Sequence, residues 1–155
     1  MKPGLGDDRV IGSGGSDTCS LRSSPRPVRI NLASLTAVGE GGDLITGIES
    51  AVGSRFRDLI RGTAARNRRL VGSGGNDRIY GLSGPDRLRG GPGNDALTGG
   101  PGDDELQGSV GDDSLVGGDG DDTLSGGRGS DACDGAGDRR VQFDCEVVTS
   151  PSRTT

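Results

Sequence analysis

Between Gly72 and Asp134 one apolar residue returns at every ninth position: Ile79, Leu88, Leu97, Leu106, Leu115, Leu124 and Cys133. Each is the middle member of a triplet with mostly polar neighbours, as in Arg87-Leu88-Arg89 and Glu105-Leu106-Gln107. Such alternation predicts a minimal strand whose central side chain points inward. The six residues before each triplet hold glycine at positions 1 and 4 and aspartate at position 6, which predicts a tight turn. Seven of these nine-residue units run without a gap. Two units make one coil, and stacked coils make a flattened roll with two parallel sheets on a single leucine-type seam. The predicted fold class is all-β: a parallel β-roll, or β-helix solenoid, of nonapeptide repeats with a C-terminal cap.

The pattern also divides the chain. Residues 3–20 read as two N-terminal repeats, the second with Gly12, Gly15, Asp17 and an inward Cys19. The polar, proline-containing stretch 21–27 breaks them, and Val28-Arg29-Ile30-Asn31-Leu32 alternates as a half-buried strand should. Residues 21–71 are expected to form degenerate coils of the same solenoid. Within them, Gly53–Arg61 keeps Asp58 and Ile60 in register but has Phe56 at position 4, and Gly62–Val71 is one residue too long, with Asn67 in place of aspartate. The regular array covers 72–134, and 135–155 forms a cap and tail. Because the register already runs at Pro3, a fragment of a longer chain is expected, the alternative being a short protein exported by another route or not at all.

Position 1 is Gly72, Gly81, Gly90, Gly99, Gly108, Gly117 and Gly126, and position 4 is Gly75, Gly84, Gly93, Gly102, Gly111, Gly120 and Gly129. Both are expected to need glycine because a curling turn visits positive φ, which costs other residues about 1–2 kcal/mol. Position 6 is Asp77, Asp86, Asp95, Asp104, Asp113, Asp122 and Asp131. Stacking places Asp77, Asp95, Asp113 and Asp131 along one edge and Asp86, Asp104 and Asp122 along the other. Position 5 varies (Asn76, Pro85, Asn94, Asp103, Asp112, Asp121, Ser130), so its side chains are expected to be solvated.

Composition alone points to disorder, with 28% hydrophobic residues, 2% aromatic and 32 glycines. The strict register overrides it. Residues 72–134 carry 13 acids against 4 bases, whereas 1–71 carry 11 bases against 7 acids, so acid is concentrated where the repeats are. The absence of histidine excludes Ser-His-Asp and Cys-His machinery and the H-E-x-x-H motif. There is no G-x-S-x-G elbow, Walker A loop or intact EF-hand loop, so the chain is read as non-enzymatic. No apolar run is long enough to span a membrane, and no secretory signal opens the chain. The basic run Arg66-Asn67-Arg68-Arg69 lacks aromatic companions beside an acidic array, so it is read as a solvated turn and nucleic acid is not an expected partner.

The unit G-(G/S/L)-x-G-x-D-x-(I/L/C)-x closely resembles the repeats-in-toxin (RTX, haemolysin-type) calcium-binding nonapeptide. The resemblance implies calcium in the gaps between stacked turns, held by the seven position-6 aspartates and by carbonyls of the turns framed by the position-1 and position-4 glycines. Five complete sites follow: three gaps on one edge and two on the other. Calcium suits them because it accepts 6–8 oxygens in loose geometry, whereas magnesium demands a tight octahedron. The resemblance also implies a secreted, extracellular protein that folds on meeting calcium as a structural or secretion module. Alternatives are the calcium-binding tail of a secreted hydrolase, or an adhesin module; no protein partner is specified. Cys133 and Cys145 read as a disulfide stapling the cap to the last coil, with two buried thiols as the alternative, and Cys19 reads as an apolar filler.

Overall fold

The computed structural model describes residues 9–34, 36–38, 42–135, 145 and 147–149, and all of its regular structure is β. The strands are β1 (Arg9–Ile11), β2 (Thr18–Ser20), β3 (Arg29–Asn31), β4 (Thr36–Val38), β5 (Gly42–Thr46), β6 (Ser50–Val52), β7 (Leu59–Arg61) and β8 (Arg69–Val71). They continue with β9 (Arg78–Tyr80), β10 (Arg87–Pro92), β11 (Ala96–Thr98), β12 (Glu105–Val110), β13 (Ser114–Val116), β14 (Thr123–Arg128), β15 (Ala132–Asp134) and β16 (Val147–Thr149). Two sheets result. One has the order β1-β5-β4-β3-β7-β9-β11-β13-β15-β16, and the other β14-β12-β10-β8-β6-β2.

Within the array every pairing is parallel and joins like positions of alternate units. Ile79 lies beside Leu97, Leu97 beside Leu115, and Leu115 beside Cys133 in one sheet, while Leu88 lies beside Leu106 and Leu106 beside Leu124 in the other. All seven inward residues are buried, and with Ile60, Leu70, Ala51, Cys19, Ile30 and Ile45 they form one continuous seam. The chain is therefore a parallel β-roll, as the nine-residue period predicts.

Three expectations need correction. The strands β10, β12 and β14 are six residues long rather than three, because the first residues of the following turn stay paired with the next coil, as in Gly91 with Ser109 and Pro92 with Val110. Residues 21–71 are not all parallel coil either. β4 runs antiparallel to both β3 and β5, a reversal assisted by the Ser34 N–H donating to Asn31 Oδ1. The nine-residue spacing is lost there, so the chain has room to fold back before β5 pairs with β1. Finally, Arg66-Asn67-Arg68-Arg69 is not wholly solvated: its three arginines are exposed but Asn67 is fully buried.

Cys133 and Cys145 are disulfide-bonded, and β16 pairs with β15 to extend the first sheet beyond the array. Cys19 is buried on the seam and takes no part in the disulfide. The first six residues of the N-terminal repeats (3–8), and Val141 and Phe143 of the expected cap, lie outside the described residues.

Candidate metal centre

Stacking brings the position-6 aspartates together as two ladders, one along each edge of the roll. On the first edge the Asp77 N–H donates to Asp95 Oδ1 (2.7 Å), Asp95 to Asp113 (2.8 Å) and Asp113 to Asp131 (2.9 Å). On the second, Asp86 donates to Asp104 and Asp104 to Asp122, both at 2.8 Å. All seven side chains are buried, each at or below 3% exposure. Each Oδ1 is thus spent on the backbone of the coil before it.

The other oxygen is not. Oδ2 of Asp77, Asp86, Asp95, Asp113 and Asp131 is buried without a hydrogen-bond partner, and Asp104 and Asp122 hold the same positions in their turns. Buried polar atoms are almost always paired, so a run of carboxylate oxygens left open at one repeat position marks a place for something else. Nothing among the side chains supplies it: among the described residues no three acidic, histidine or cysteine side chains converge on a common point. A cation there would need oxygens from turn carbonyls or water as well as from these carboxylates.

The position-1 glycines make the space. None of them has positive φ, contrary to the expectation from the turn pattern. A β-carbon on Gly81 would instead meet Asp86 Oδ2 of its own unit and lie 2.7 Å from the Gly99 carbonyl oxygen of the next coil; Gly99 and Gly108 repeat the arrangement with Asp104 and Gly117, and with Asp113 and Gly126. Open carboxylate oxygen and main-chain carbonyl thus converge on a cradle that a methyl group would fill. Hard oxygen donors in loose array fit calcium. Position 4 does use positive φ in all seven units, from 87° at Gly84 to 141° at Gly102. Position 2, which the sequence leaves open to Ser and Leu, is also left-handed, at Ser73 (96°), Leu82 (88°) and Ser109 (103°) as well as at its four glycines.

Charge is the remaining strain in the ladders. Burial pushes the Asp77 carboxyl up to about 8, with Asp58 and Asp95 adding repulsion, and that of Asp95 to about 7, with Asp113 adding to it. Burial likewise lifts Asp113 to about 6, helped by Asp131 and Asp112, and raises Asp86. A nearby cation would reverse this by favouring the charged form.

Two features lie outside the pattern that sequence reasoning isolated. Position-5 side chains form an exposed ladder of opposite direction, in which the Asn94 N–H donates to Asn76 Oδ1, Asp112 to Asn94, Ser130 to Asp112 and Asp121 to Asp103, each near 3 Å. They are therefore not simply solvated; the recurrence of Asn and Asp there is the signal that could have found them. In the N-terminal repeat, Asp17 also has a buried, unbonded Oδ2, and its N–H donates to Glu49 Oε2 (2.9 Å), so a glutamate stands where the next coil's aspartate would be.

Compared with known families, the chain matches the RTX calcium-binding nonapeptide repeat (4 copies) over residues 4–21, 71–106 and 107–139, more than half of its length. No curated protein matches it.

Proposed function

The chain belongs to the RTX calcium-binding nonapeptide repeat family, and from that premise we propose that residues 72–134 fold on calcium bound in the gaps of both aspartate ladders. The observation that carries the proposal is the open Oδ2 at repeated position-6 aspartates, each beside the cradle of its position-1 glycine. The ligands would be these carboxylates together with main-chain oxygens of the turns. Calcium would supply positive charge to a line of buried carboxylates and so make the compact roll the favoured state at neutral pH.

The module works outside the cell, as a structural or secretion element rather than a catalyst. Two considerations support this. The disulfide of Cys133 and Cys145 suits an oxidising compartment. Extracellular calcium modules also bind at about 0.1–1 mM, so they fill outside and stay empty within. At ~1 mM calcium and a Kd of ~0.1 mM, each site adds about 1.4 kcal/mol, and five together rival the whole stability of a typical domain.

Equilibrium dialysis against radiolabelled calcium tests the proposal. About five ions per chain are expected near millimolar calcium, with magnesium a poor competitor. One ion or none would overturn it.

A further inference from the structure

The two turns immediately before the array, 53–58 and 62–67, share its outline but not its open oxygen. In the turn 53–58, Asp58 is satisfied within its own unit: the Ser54 N–H donates to Oδ2 (2.5 Å) and the Ser54 hydroxyl reaches both carboxylate oxygens (2.8 and 3.1 Å), while the Val28 N–H donates to Oδ1 (2.7 Å). In the turn 62–67 the same device recurs, with the Thr63 N–H and hydroxyl donating to Asn67 Oδ1 (3.0 and 3.3 Å). Ser54 and Thr63 are both position-2 residues, and neither has positive φ. In the array, by contrast, position 2 is left-handed, and its N–H turns away to the position-1 carbonyl of the next coil, as Ser73 does to Gly90 and Leu82 to Gly99.

Asn67 adds a second observation. Its Nδ2 lies where the array has Oδ2: a β-carbon on Gly62 would fall 2.6 Å from Asn67 Nδ2, with the carbonyl oxygen of Gly81 close by, just as one on Gly81 would meet Asp86 Oδ2 and the carbonyl oxygen of Gly99. From there the amide donates to the carbonyls of Ala65 (2.9 Å), Gly81 (3.2 Å) and Thr63 (3.4 Å) and to Asp86 Oδ1 (2.9 Å). A neutral donor thus meets four oxygens at a position where the array presents another oxygen. Oxygens facing oxygens need a cation between them; an amide facing them does not.

We infer that the turns 53–58 and 62–67 are metal-independent stops that fix where both calcium ladders begin, and that Asn67 Nδ2 takes the place of a cation between the turns 62–67 and 81–86, just before the first gap of the second edge. The stops also present the start of each ladder already formed, because the Asp58 N–H holds Asp77 Oδ1 (2.8 Å) and the Asn67 N–H holds Asp86 Oδ1 (2.6 Å). The first turn of each ladder is therefore held by a template that does not wait for calcium.

Resting as it does on calcium binding by the array, this inference is tested on the full chain by two readouts that separate the two. Calorimetric stoichiometry of Asn67→Asp, which replaces the donor with a second oxygen, should rise by one ion over the natural chain. Amide exchange in EDTA should show residues 53–71 protected about tenfold or more relative to 72–134, and Asn67→Asp should remove that protection around 62–71. Should Asn67→Asp fail to fold even with calcium, Asp86→Asn serves instead, and should lose calcium while gaining protection in EDTA around 81–90. Unchanged stoichiometry in Asn67→Asp, no gain in Asp86→Asn, or equally fast exchange of 53–71 and 72–134 in EDTA would overturn the inference while leaving calcium binding intact. A natural chain that binds no calcium would remove both.

Discussion

A β-carbon at position 1 of a unit and one at position 2 meet different obstacles. At position 1 the obstacle is space: on Gly90 it would strike the carboxylate of Asp95 in the same turn. Gly90→Ala should therefore displace that carboxylate, removing at least one ion in a calcium stoichiometry and lowering the unfolding midpoint in calcium. At position 2 the obstacle is the backbone, since Leu82 sits at φ 88°, where a side chain costs about 1–2 kcal/mol. Leu82→Gly should recover part of that cost, offset by the greater freedom of glycine in the unfolded chain. A net gain of about 0.5–1 kcal/mol is expected in urea denaturation at saturating calcium, and a loss would show that the Leu82 side chain contributes more than its backbone costs. The sequence makes glycine visible at positions 1 and 4, but not that only position 4 uses its conformational freedom. Steric exclusion by a neighbouring side chain and a left-handed turn leave the same letter behind.

An aspartate within a ladder serves two gaps, and the last one serves a single gap. Asp95 accepts from Asp77 and donates to Asp113, whereas Asp131, the last aspartate of that edge, accepts from Asp113. Asp95→Ala should accordingly remove about two ions and Asp131→Ala about one, and equal losses would mean that ligands are not shared between turns. At the C-terminal end, β16 covers β15, and the disulfide joins Cys133 of that strand to Cys145. Cys133→Ser/Cys145→Ser should lower thermal stability in calcium by about 3 kcal/mol, from the short loop it reopens. It should also raise the apparent mass through exposed strand edges, and leave binding between Asp77 and Asp113 in place; retained stability and mass would deny the cap its role. The inward positions, seam and stacking of the array were legible because one period carries them, though not the six-residue length of β10, β12 and β14. The antiparallel β4 and the closed turns at Asp58 and Asn67 were not. They depend on which side chain meets which backbone group, and the imperfect units of residues 53–71 keep the register of the array without reporting that difference.

For the whole molecule, the buried carboxylates set a pH dependence whose sign can be worked out. The carboxyls of Asp77, Asp95 and Asp113 are raised from an ordinary 3.8 to about 8, 7 and 6 in the compact roll, mainly by burial. The metal-free roll therefore holds protons that the unfolded chain releases above about pH 4, so its stability is fullest below that pH and is lost as pH rises through 6 to 8. In EDTA the chain should show more β structure at pH 5 than at pH 8.5, and the opposite order would contradict burial of these groups. On the proposed function, calcium would replace those protons at neutral pH, where the acidic array would otherwise repel itself.

That replacement is tested most directly by a calcium titration at pH 7.5, followed by far-UV circular dichroism from EDTA to several millimolar calcium. The expected result is a mostly coil-like spectrum in EDTA, with residual order from the N-terminal coils. It should turn cooperatively to β-sheet near millimolar calcium and hardly respond to magnesium. A full β-sheet spectrum in EDTA, unchanged on adding calcium, would contradict the account.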